Sequence, residues 1–111
     1  MKEFDLEKRT FVFAQSVRSF VREIPKTITT TDDIRQMIRS SGSVGANYIE
    51  ANESLSKKDF LMRIKICRKE AKETIYWLQL LEGVPEEKKR LLIQECTELL
   101  KIFSTIVSRN S

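Results

Sequence analysis

The chain has no histidine, and with it go the commonest general base and the commonest metal ligand. A di-iron bundle centre, which needs Glu-x-x-His from facing helices, is excluded by the same lack. The two cysteines, Cys67 and Cys96, form no CxxC pair, so they cannot assemble a structural zinc site. Three glycines and two prolines in 111 residues leave little room for the turns of a sheet. No stretch approaches the roughly 18 apolar residues of a membrane span. The N-terminal MKEFDLEKRTF mixes acids with bases and is not a secretory signal. These absences lead us to expect a cytoplasmic protein with no membrane partner, no cofactor and no catalytic residues. Both cysteines are expected as buried free thiols, each in the apolar stripe of a helix. Carboxylate pairs such as Glu70 with Glu73 are expected to be solvated.

What is present reads as helix. Hydrophobic content of 41% with 32% charged residues suits a single soluble helical domain spanning residues 1–111. The pI near 9.2 permits a polyanionic partner, although a net charge of +4 is modest for a dedicated nucleic-acid binder.

The most informative stretch is Ser56 to Leu81. At roughly 100° per residue, Phe60, Ile64, Cys67, Ala71, Ile75 and Leu78 share one face and make a core stripe. Lys58, Lys65, Lys69, Lys72 and Tyr76 cluster opposite, with no acid among them. Between Ser56 and Lys72 stand seven bases, Lys57, Lys58, Arg63, Lys65, Arg68, Lys69 and Lys72, against Asp59 and Glu70. Such a ridge is either a solvated face or a surface for phosphates. A third strip holds Met62, Ile66, Trp77 and Leu80, interleaved with Glu70 and Glu73. One apolar stripe docks a helix on its own bundle, so a second suggests a partner surface, most simply another copy of the chain. The other reading is that the strip widens the core face.

Three further helices follow from periodicity and punctuation. Asp5 caps a first helix to about Glu23, with Leu6, Phe13, Val17, Phe20 and Ile24 on one face and Pro25 as the stop. Thr30 or Thr31, followed by Asp32 and Asp33, marks the start of a second, from about Asp32 to Glu53. It places Ile34, Ile38, Ser41, Gly45, Tyr48 and Asn52 on one line. Its middle, Ser40 to Ala46, contains two glycines that each cost about 1 kcal/mol against alanine in a helix. Either another backbone approaches closely there or the helix breaks near Gly42; the spacing does not match a P-loop. Asn47 and Glu50 lie off the main stripe, free to bond a neighbouring helix, to bond each other, or to face water. Ser54 or Ser56 caps the third helix, with Asp59 completing a capping box. Gly83 and Pro85 end it, and Pro85-Glu86-Glu87 opens a fourth with Leu92, Cys96, Leu99, Phe103 and Ile106 as its stripe. Residues 108–111 are expected to fray. Four helices with short connections predict an all-α, antiparallel up-down-up-down four-helix bundle.

The run Ser43-Val44-Gly45-Ala46-Asn47-Tyr48-Ile49-Glu50-Ala51 resembles the S-I-x-x-N-I-A-E-G pattern of the small four-helix-bundle proteins encoded in intervening sequences of bacterial 23S ribosomal RNA genes. Ser56-Lys57-Lys58-Asp59-Phe60 resembles their S-x-K-E-F. The stretch Ile64 to Thr74, the trio Tyr76-Trp77-Leu78 and the start Asp5 to Phe11 fit as well. Departures are Tyr48-Ile49 for Ile-Ala and Ala51 for Gly. The resemblance implies an antiparallel bundle assembling as a ring-like homopentamer with no established enzymatic activity. It also implies kinship with the accessory protein of diversity-generating retroelements, a basic pentamer that binds nucleic acid and a reverse transcriptase. Two functions are expected in turn. One is RNA or DNA binding through Lys57, Lys58, Arg63, Lys65, Lys69, Lys72 and Tyr76. The other is a scaffold that binds another protein, with the charges serving solubility.

Overall fold

A computed structural model of the chain describes residues 5–110. Four helices follow one another: α1 Leu6–Val21, α2 Ile28–Asn52, α3 Lys57–Leu80 and α4 Glu86–Asn110. Each packs antiparallel on the next and α4 returns to α1, closing the expected bundle. The α2–α3 pair is the most intimate and the α1–α4 seam the least.

The ends follow local chemistry. The Asp5 carboxylate accepts from Lys8 N at 3.0 Å and caps α1. Beyond Val21, the Lys26 ammonium donates to the carbonyls of Val21 and Ile24 at 3.0 and 2.8 Å, which satisfies groups that the helix end leaves unpaired. The second helix starts one turn earlier than its acids suggested, at Ile28. Thr27 Oγ1 accepts from Thr30 N at 3.2 Å while Thr30 Oγ1 accepts from Thr27 N at 2.8 Å. This reciprocal capping box outweighs the low helix propensity of the threonine run, and Asp32 and Asp33 fall inside the helix. The same helix runs unbroken through Gly42 and Gly45, so the expected alternative of a break is not realised. Ser56 Oγ accepts from Asp59 N at 3.1 Å to cap α3. Gly83, with φ +70°, turns the chain toward Pro85 in a conformation that suits glycine. The last helix continues to Asn110, whose side chain donates to Ile106 O at 2.7 Å; of the stretch expected to fray, residues 108–110 are helical and Ser111 lies outside the described residues.

The core is built on Phe13, Met37, Ile64, Leu78, Leu99 and Phe103, all essentially inaccessible to water. On α2 the buried line is Ile34, Met37, Ser40, Ser41, Val44 and Ala51, rotated toward α3 from the expected one. The reason lies in Ser40 and its surroundings: its hydroxyl sits 2.8 Å from that of Thr74 on α3, so small polar residues can be buried where the two helices approach most closely. Cys67 and Cys96 are both free and buried, and burial pushes each thiol up to about 12. The Cys96 thiol donates to Ala71 O at 3.2 Å.

Candidate functional site

Helix α3 carries the three faces that its periodicity predicts, with two changes of occupant. Ile64, Cys67, Ala71 and Leu78 are buried as expected, and Phe60 and Ile75 are half-buried against the core. Thr74 and Glu70 join the buried set. On the opposite face Lys57, Lys58, Lys65, Lys69 and Lys72 all stand in solvent. Among the described residues no carboxylate forms an ion pair with any of them. Tyr76 is exposed beside them, its ring edge-on to Trp77 with centroids 5.1 Å apart.

Arg63 stands apart from that ridge. It is half-buried, and its Nη1 donates to Asn47 Oδ1 at 3.0 Å. The Asn47 amide in turn donates to Ser43 O at 2.9 Å. Asn47 therefore ties α2 to α3, which decides between its two expected roles, while Glu50 remains exposed.

The third strip divides between cover and exposure. Trp77 is half-buried and packs on the core, and Ile66 is half-buried. Met62 and Leu80 remain 51% and 45% exposed. The bundle thus takes the two central members, Ile66 and Trp77, part of the way in and leaves apolar area at both ends of the strip.

Between these members lies an ionic cluster that helical spacing did not reveal. Glu70, expected in solvent, is only 7% exposed. Arg39 of α2 reaches across with Nη2 3.3 Å from Glu70 Oε1 and 2.5 Å from Glu73 Oε2. Trp77 Nε1–H donates to the same Glu73 oxygen at 3.0 Å. That indole bond and then Arg39 hold the Glu73 carboxyl below its ordinary range, and the Arg39 guanidinium rises above its own. Glu70 Oε1 is buried and accepts no hydrogen bond among the described residues; Arg39 neutralises it as an ion pair at 3.3 Å. The register of α2 against α3 is what brings Arg39 to both acids, and one helix read alone carries no trace of it.

Gly45 faces α1, where an added Cβ would come 2.8 Å from Thr10 Oγ1. The close approach that the glycines suggested is thus realised at Gly45, chiefly against the Thr10 side chain, and not at Gly42. Beside this contact Phe11, Ala14, Arg18, Gly42, Gly45 and Ile49 line a groove of about 410 Å³ between α1 and α2. Phe11 is 62% exposed; it lies off the apolar face of α1, and that displacement was its only sign in the sequence. Among the described residues no group of three or more Cys, Asp or Glu side chains is placed to hold a metal, and no helix is long and apolar enough to cross a membrane.

The family model of the 23S rRNA-intervening sequence proteins matches residues 2–105. A solved structure from Bacteroides thetaiotaomicron, a protein of unknown function from the S23 ribosomal protein family, is similar with a TM-score of 0.80 and 30% identity. The match covers 91% of this chain and 96% of that one. No protein of curated function matches.

Proposed function

The chain belongs to the 23S rRNA-intervening sequence protein family, and on that premise we propose that it works by binding rather than by catalysis: a homo-oligomer, taken as a pentamer, that holds RNA or DNA on the outer face of α3. The single observation that supports this reading is the row Lys57, Lys58, Lys65, Lys69 and Lys72, exposed and free of carboxylate partners among the described residues. Of the acids on the same helix, Glu70 and Glu73 are held by Arg39, and Asp59 stands at the helix start beside Lys58. A solvated face usually intersperses both signs, whereas a single-sign row matches the repeat of phosphates. One such row binds weakly, and several held in one assembly gain avidity. Tyr76 offers a ring at the end of the row on which a base can stack. Arg63 is bonded to Asn47 and serves the bundle more than the ligand.

The test is an electrophoretic shift on a ribosomal RNA fragment over a salt series. Affinity should fall steeply with salt, and Lys65→Gln, Lys69→Gln and Lys72→Gln together should weaken binding equally across RNA sequences and flatten the salt slope. No shift at low salt ends this reading. Cellular partners that stay attached after nuclease treatment would favour the protein scaffold instead.

A further inference from the structure

A closed ring of identical subunits needs two different surfaces on each subunit, one fitting the other, because a rotation that is not two-fold never brings a patch against itself. The α3 strip supplies one. Resting on the oligomeric reading above, we infer that the α1–α2 groove is the other: Phe11 and Ile49 of one copy receive Met62 and Ile66 of the next.

Four observations point to this pairing. First, the groove is apolar and open, with Phe11 62% and Ile49 49% exposed at its rim and Gly42, Gly45 and Ala14 at its floor, so a side chain can enter close to the backbone. Second, the heights agree. Arg63 bonds Asn47 and Gly45 abuts Thr10, so these four residues mark one level of the bundle. Met62 and Ile66 flank that level on one side and Phe11 on the other, and rotation about an axis along the bundle preserves height.

Third, the charges complement one another. In the strip one guanidinium, Arg39, faces two carboxylates, Glu70 and Glu73, and Glu70 Oε1 still lacks a hydrogen bond, with Lys69 acting on Glu73 only from longer range. The groove is lined by one acid, Glu7, which accepts from Asn52 Nδ2 at 2.8 Å, and by the exposed Arg18, which donates to Ala14 O at 3.3 Å and pairs with no carboxylate among the described residues. Arg18 lies beside Gly42, within about a turn of the level of Arg39. Strip against strip would oppose two acid-rich clusters, which disfavours a two-fold dimer through that surface.

Fourth, the two surfaces sit on adjacent sides of the bundle, sharing α2 as their common edge. Adjacent sides of a four-cornered bundle meet at roughly a right angle, close to the interior angle of a ring of four or five. Another exposed apolar pair, Val12 and Leu91 on the α1–α4 seam, lies on the side opposite the strip. Pairing opposite sides would stack copies into an open array.

The test uses the whole chain and sedimentation at tens of micromolar. Phe11→Glu, which removes the groove's rim, and Met62→Glu, which spoils the strip, should each give folded monomers; Phe11→Ser and a helical melting curve guard against misfolding. Mixed together, the two variants should form a one-to-one dimer and nothing larger, since each retains the surface that the other has lost. Leu91→Glu should leave the wild-type assembly intact. An assembled wild type whose size Phe11→Glu does not change, or a mixture that stays monomeric, overturns this pairing while leaving oligomerisation standing. A monomeric wild type removes the oligomeric reading and this inference with it.

Discussion

Gly45 of α2 stands so close to Thr10 of α1 that an added Cβ would lie 2.8 Å from Thr10 Oγ1 and 3.2 Å from Thr10 Cβ. Thr10 cannot easily give way. It is buried, and its hydroxyl donates toward Leu6 O and Glu7 O at 2.7 and 3.1 Å. Gly42, one turn away, meets nothing nearer than the end of the Arg18 side chain at 3.7 Å.

The two glycines should therefore respond with opposite signs. Alanine at either gains about 1 kcal/mol of helix propensity. At Gly45 the overlap costs more than that, about 1 to 3 kcal/mol, so Gly45→Ala should lower the unfolding midpoint. Gly42→Ala should raise it, with a gain in stability of up to about 1 kcal/mol. Chemical denaturation of the two variants checks the pair, and a stabilised Gly45→Ala would show that the helices can separate without loss.

Arg39 bridging Glu70 and Glu73 makes a second prediction. Its removal leaves Glu70 buried without a cation, and loss of one partner of a buried pair is costly. The Arg39 side chain is half-exposed, so water can reach the gap and the loss should be moderate. Arg39→Ala should cost about 1 to 3 kcal/mol. Adding Glu70→Gln to that background should recover much of it, because a neutral amide needs no counter-charge. A double-mutant cycle with no coupling between the two positions would mean that the cluster does not hold the helices together.

The same cluster shows where the sequence was legible and where it was not. Cys67, Ala71 and Leu78 announce their burial by spacing alone, and Asp5, Ser56 and Pro85 mark helix boundaries because capping depends on residues a few positions apart. The start of α2 escaped because two threonines cap each other as well as an acid would. Glu70 escaped because its burial depends on Arg39, thirty-one residues away in sequence, and on a register that one helix cannot specify. Phe11 escaped for a related reason: a lone aromatic off the main face gains meaning only beside Gly42, Gly45 and Ile49 of another helix. The lysine row was legible because it belongs to one helix.

The thiols give a third prediction, through their protonation. Burial holds Cys67 and Cys96 neutral up to about 12, against an ordinary value of 9.0. Below pH about 9 both folded and unfolded chains keep these protons, and no stability depends on them. Between about 9 and about 12 the unfolded chain ionises first, so stability should fall as pH rises through that window. Neither thiol should react with a thiol reagent near neutral pH until the chain unfolds, after which both should. Rapid labelling of a native thiol would contradict the packing of α3 against α4.

Trp77, the one tryptophan, reports on Glu73 and supplies the fourth prediction. Its Nε1–H donates to Glu73 Oε2 at 3.0 Å, and that bond together with Arg39 holds the carboxyl below its ordinary 4.5. A carboxylate whose folded value is depressed contributes stability above its unfolded value and loses it as pH falls through the folded one. Trp77 emission should therefore stay constant from about pH 7 to about 5 and change only as pH falls below that ordinary value, in step with a loss of stability. In Glu73→Gln the side-chain oxygen can still accept from the indole, but it cannot titrate, so the acid step in emission should vanish while the neutral spectrum is kept. An unchanged acid step in that variant would mean that Glu73 is not the group the indole reports.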